Sequence, residues 1–177
     1  MYCTLCIWLQ RRDFMKYVAY FLVFLIPLQI IFPLTIAIIN LITRYNTTQR
    51  IKEISENFLE ITPDEILKQR GVAYGRRRKF SYANQYAVTG VYILHNVSKE
   101  KYYVGQSVNV FNRVRQHFTG HGNVGVHVDY LAGDKFMVKV IPLTKSGYET
   151  LNSLERDTIT AYNAYYKGYN GTRGNRG

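Results

Sequence analysis

Residues 90–106 read Gly90-Val91-Tyr92-Ile93-Leu94-His95-Asn96-Val97-Ser98-Lys99-Glu100-Lys101-Tyr102-Tyr103-Val104-Gly105-Gln106, and this stretch decides the fold. Two runs of β-branched and aromatic residues flank a short polar interruption, which predicts strands over 90–95 and 102–106 joined as an antiparallel hairpin. A turn built on Asn96, Val97, Ser98 and Lys99 would place Tyr92 directly across from Tyr103. Side chains opposed in this way share one face of the sheet, about 5 Å apart at Cβ. Two such tyrosines are more often a packing pair than a chemical one, so their meaning depends on what the rest of the chain brings to them.

Downstream, apolar spacing predicts a helix over 109–118, a strand over 136–143 and a longer helix over 148–166. Strand, strand, helix, strand, helix in under a hundred residues predicts a small α+β domain, a central antiparallel sheet flanked by helices. On the first helix Arg113 and His117 stand four residues apart and emerge together beside Phe111 and Val114. On the second, Tyr148, Leu151, Glu155, Ile159 and Tyr162 form one stripe. A carboxylate in the middle of an inward stripe is costly unless it is paired or binds a metal.

Upstream, residues 44–84 predict a helical and basic connector. Ile51, Ile54, Phe58 and Leu59 recur at helical spacing, and Thr62, Pro63 and Glu65 have the pattern of a capping box. The cations Arg76, Arg77, Arg78 and Lys79 could grip phosphates or lipid headgroups, or simply be solvated. Residues 17–43 carry no charge and lie between Lys16 and Arg44. That length suits a single membrane-spanning helix, and Pro27 and Pro33 suggest a kink in it. Residues 1–16 are a leader, in which Cys3 and Cys6 are the only cysteines. They exclude a disulfide framework and lack the second ligand pair of a structural zinc site. The charges on the two flanks nearly balance, and the 76–79 cluster tips the C-terminal side toward the cytoplasm.

With 177 residues the chain has room for one ordinary domain and an appendage. Its net charge of +11 favours an anionic partner, nucleic acid or a membrane surface.

Gly90-Val91-Tyr92 followed after ten residues by Tyr103-Val104-Gly105 resembles the paired signature of the GIY-YIG nuclease family. Arg113 and His117 on the next helix, Glu155 on the later one, and Asn170 within the glycine-rich run 168–174 follow in the family's order. The likeness covers about 85–177, with Val91 and Val104 where the family name has isoleucine. It implies a divalent-metal-dependent DNA endonuclease. In it Tyr92 is the general base, Tyr103 and His117 adjust or relay its proton, Arg113 grips the scissile phosphate, and Glu155 holds one Mg²⁺, or Mn²⁺ in its place. Gly90, Gly105 and Asn170 support the site, and Arg115 joins Arg76, Arg77, Arg78 and Lys79 in DNA binding.

One such site would cut one strand at a time, so a double-strand break would require dimerisation, rebinding or turning of the domain. Two other readings fit the same residues: an intron-type homing endonuclease translated in frame with a membrane-protein segment, and an inactive, membrane-bound nucleic-acid-binding protein. Because the sequence ends shortly after Asn170, target preference is expected to come from the core, the basic connector or a partner. The sequons at Asn46, Asn96 and Asn170 are expected to be unused.

Overall fold

The structure, a computed structural model, describes residues 4–68, 73–74, 79–80 and 88–175. In chain order these form α1 (Thr4–Glu56), β1 (Glu60–Ile61), α2 (Pro63–Lys68), a small hairpin of β2 (Ala73–Tyr74) and β3 (Lys79–Phe80), β4 (Gly90–Asn96), β5 (Lys101–Ser107), α3 (Val110–Phe118), α4 (Val124–Leu131), β6 (Phe136–Pro142) and α5 (Leu151–Ala161). The chain divides into two units, Met1–Tyr45 and Asn46–Gly177.

The first unit is helical. Within α1, Gln29–Glu56 is long and apolar enough to cross a bilayer by length and composition. Ile30, Phe32, Leu34, Ile39 and Leu41 are all exposed.

The second unit is built on an antiparallel sheet of order β1-β6-β4-β5. Alternation along the strands divides the core in two. Tyr92, Leu94, Val138 and Val140 face α2, α3 and α4 through Ile66, Val110, Val114, Phe118 and Val126. Val91, Ile93, Val104 and Ile141 face the end of α1 and α5 through Ile51, Leu154 and Ile159. Both faces are covered, so β4 reads as an almost continuous apolar run and is buried throughout except at His95.

The expected register is corrected by two residues. Tyr92 pairs with Gly105, and Tyr103 with Leu94. The hairpin loop is Val97–Glu100 rather than 96–99, with Glu100 in the left-handed region at φ 50. The buried Asn96 side chain accepts from the Lys99 N–H, which tightens the turn. A shift of two preserves side-chain parity, so Tyr92 and Tyr103 still share a face, as diagonal neighbours with ring centroids 6.2 Å apart.

The stretch expected to be a connector contributes to the fold. Ile51 and Ile66 are core residues, and β1 pairs with β6. The capping box is present, the Thr62 N–H donating to the Glu65 carboxylate at 2.8 Å. Two further differences are local. α5 starts only after Thr150, whose hydroxyl accepts from the Ser153 N–H. It stops before Asn163, at φ 52, so it is shorter than the apolar stripe. α4 was not expected, because Val124-Gly125-Val126-His127-Val128 is poor in helix formers. Asn123 starts it by capping the Val126 N–H at 3.0 Å.

Candidate active site

Tyr92 reaches the site because β4 is central and its even-numbered side chains point to the α3 face. Its ring is buried and lies over Gly105, where an added Cβ would fall 2.5 Å from Tyr92 Cζ. Only glycine leaves that space, which explains the second glycine of the paired signature. Gly90 is constrained in the same way by the backbone of Ile141 on β6.

His117 is fully buried on α3, with Nε2 2.9 Å from the Tyr92 hydroxyl. The Asn123 N–H donates to His117 Nδ1 at 2.8 Å. Nδ1 therefore carries no proton, and in the neutral ring the proton sits on Nε2 and is donated to Tyr92. Burial, reinforced by the nearby Arg113 charge, pushes the imidazole pKa down to about 4, so the ring is neutral at physiological pH. Gly122 lies against the ring and leaves no room for a side chain.

Arg113, one helical turn before His117, is half-buried. Its Nη1 donates to Gln116 at 2.7 Å, and its charge lies near enough to the Tyr92 hydroxyl to favour the ionised form. The Tyr103 ring packs 4.7 Å from His117. Burial pushes the Tyr92 pKa well above the usual phenol range, the neighbouring Tyr103 adds to this, and Arg113 opposes it. Tyr103 is raised for the same first reason. Without further positive charge both phenols are protonated.

Glu155 comes from the opposite face, on α5, and is 8% exposed. Its carboxylate accepts from the Gln106 side chain at 3.1 Å, and the backbone N–H groups of Asn175 and Gln106 favour its charged form. Burial nevertheless raises its pKa above the usual carboxylate value. Because β5 is an edge strand, Glu155 meets the site around the sheet edge, and its charge acts on the Tyr103 phenol. The same edge is held by Asn170, whose Oδ1 accepts from the Val104 N–H at 2.8 Å and whose Nδ2 donates to the Val104 carbonyl at 2.7 Å. Asn170 completes the strand's outer hydrogen bonds as a missing neighbour would.

The structure thus brings Tyr92, Tyr103, Arg113 and His117 into one cluster, and places Glu155 and Asn170 along the adjoining edge. Arg115 is half-buried on α3. Arg76, Arg77 and Arg78 lie outside the described residues, as does the side chain of Lys79. Sequence reading missed Asn123, although an Asn ahead of a short apolar run is a helix-start signal. It also missed Gln106, which carries no signal beyond following Gly105.

Neither the curated proteins nor the solved structures give a match to this chain. Residues 88–170 match the family model described as the GIY-YIG catalytic domain, a range that begins just before β4 and ends on Asn170. The matched segment is the one that builds the tyrosine, histidine and arginine cluster, so this part of the chain is similar to a GIY-YIG catalytic domain.

Proposed function

We propose that the protein is a divalent-metal-dependent DNA endonuclease, tethered to a membrane through α1 with its catalytic domain on the cytoplasmic side, which nicks one strand per event. The observation that carries this reading is the hydrogen bond from His117 Nε2 to the buried Tyr92 hydroxyl. A neutral imidazole fixed as a donor, together with the Arg113 guanidinium, stabilises the phenolate form of Tyr92. The tether rests on the length and apolar composition within α1.

Glu155 is the residue that would hold the metal. Among the described residues no group of three or more His, Cys, Asp or Glu is gathered, so the donor set is a lone buried carboxylate. That suits Mg²⁺, or Mn²⁺, which is commonly bound by one or two carboxylates with water and phosphate oxygens completing the shell. When bound, the ion supplies positive charge to the phosphoryl and leaving oxygens.

The chain's own groups do the rest. Arg113 engages a non-bridging oxygen of the scissile phosphate with its planar fork. The Tyr92 oxygen takes the proton of the attacking water, while His117 and Arg113 stabilise the charge on that oxygen. The Tyr103 hydroxyl, close to both Tyr92 and His117, aligns the water. His117 therefore acts as a fixed donor rather than a proton carrier.

The test uses the full chain in detergent micelles with supercoiled plasmid and Mg²⁺. Relaxed circles should accumulate before linear DNA, and both EDTA and Glu155→Gln should stop the reaction. Folded wild-type protein that leaves the plasmid supercoiled across Mg²⁺ and Mn²⁺ titrations would end this reading.

A further inference from the structure

Beyond the catalytic cluster, the chain presents a cation held by aromatic rings. The Arg173 guanidinium carbon lies 5.3 Å from the Tyr165 ring centroid and 5.2 Å from that of Tyr166. The two rings meet edge to face, 4.9 Å apart. Arg173 Nη2 also donates to the Tyr166 hydroxyl. All three residues are at the surface, with Tyr165 36% and Tyr166 62% exposed.

The bland reading is a self-contained surface cluster, and three observations count against it. First, none of the ion pairs among the described residues involves Arg173. Its positive charge is framed by rings and left uncompensated by acid. Stacking on rings also orders the guanidinium in advance, which lowers the entropic cost of binding an anion. Second, a guanidinium has five N–H donors, and the Tyr166 hydroxyl engages Nη2 alone, which leaves donors to spare.

The third is position. Asn170 is fastened to Val104, beside Tyr103. Gly174, at φ +98, packs on Arg156 and Ile159 of α5, and Arg156 directly follows Glu155 in that helix. Arg173 directly precedes Gly174, so their α-carbons are about 3.8 Å apart. The segment that carries the ring-framed cation therefore runs along the part of α5 that holds the proposed metal carboxylate.

We infer that Arg173, framed by Tyr165 and Tyr166, is a second anchoring point for the DNA strand. It takes a backbone phosphate next to the one that is cut, and the exposed face of Tyr166 packs against the adjoining nucleotide. This rests on the nuclease reading and adds a substrate-binding site to it. The chemistry is that of a phosphate-binding arginine with an aromatic platform.

The experiment compares full-length wild type with Arg173→Ala, Arg173→Lys and Tyr166→Ala in detergent micelles. It reads cleavage kinetics on a labelled duplex, and anisotropy binding across a KCl series. For Arg173→Ala the expected result is a KM raised about five- to tenfold, kcat within twofold of wild type, and a salt slope of log K reduced by about one. Arg173→Lys should recover only part of the affinity, because an ammonium cannot stack or fork. Tyr166→Ala should weaken binding while keeping the wild-type salt slope.

Unchanged KM and salt slope in Arg173→Ala would overturn the inference, as would a loss of kcat alone. Loss of binding to anionic-lipid vesicles with DNA affinity intact would assign the cluster to the membrane and also overturn it. Wild type that binds DNA without cutting it would fail the nuclease reading, while the anisotropy series still decides the role of Arg173.

Discussion

The ring of Tyr92 lies across the α-carbon of Gly105, its partner in the β4–β5 register. This couples the paired signature physically: the glycine on one strand makes room for the tyrosine on the other. Gly105→Ala forces a methyl group into the ring, an overpacking cost of about 1–3 kcal/mol. The expected outcome is a lower thermal midpoint together with loss of cleavage, measured by unfolding and plasmid nicking on one preparation. A substitution that leaves both unchanged would mean the ring does not sit where it is described.

Asn170 makes two hydrogen bonds to the Val104 backbone. Asn170→Ala leaves those groups to water at the sheet edge, and we expect about 1–2 kcal/mol of destabilisation. Amide exchange at Val104 should accelerate while that at Ile93 on the central strand stays slow. Uniform acceleration would point to global unfolding instead.

His117 links the site to pH. Its folded-state pKa, pushed down to about 4 by burial, lies below the ordinary value of 6.5. The unfolded chain therefore binds more protons between these values. The His117 contribution is fully present above pH 6.5 and is lost as the pH falls toward 4, at most about 3 kcal/mol. Wild type minus His117→Gln in unfolding free energy should show this loss. The ¹⁵N spectrum at neutral pH should show the proton on Nε2, and a proton on Nδ1 would contradict the donation from Asn123.

The end of α1, β1 and α2 belong to the catalytic unit. Ile51 is 0% and Ile66 1% exposed, and burying each contributes about 1.5–3 kcal/mol. Removing both, with β1, takes away much of a total stability of about 5–15 kcal/mol. A chain beginning at Asn46 should unfold cooperatively, whereas one beginning at residue 80 should aggregate or lose its fixed near-ultraviolet circular dichroism. Equal stability of the two would show that β1 and α2 are dispensable.

The hairpin, α3 and the inward position of Glu155 were legible because each has a strong period: two for β4 and β5, and three to four for Arg113, His117 and the α5 stripe. The capping box was legible because Thr62, Pro63 and Glu65 carry its chemistry locally. β1 was not, since Glu60 and Ile61 are too few to show alternation and pair only because β6 offers an edge. α4 was hidden by its glycine and valines, and forms through the Asn123 cap and the packing of Val126. The exact register was beyond reach because it depends on Glu100 adopting a positive φ, whereas parity, which fixes the shared face of the two tyrosines, survived the shift. Nothing local foretold that the Asn123 N–H would set the His117 tautomer, a contact made only after the chain turns at Gly120 and Gly122.

The central claim is that Tyr92, held by His117 and Arg113, is the group that accepts the proton. Single-turnover cleavage of a labelled duplex, with full-length protein in excess and Mg²⁺ present, compares Tyr92→Phe with wild type. The account predicts a rate lower by about a thousandfold, within the range for removal of a general base, with duplex affinity within twofold and the folded structure retained. A Tyr92→Phe protein that cuts at a tenth of the wild-type rate or faster would contradict it.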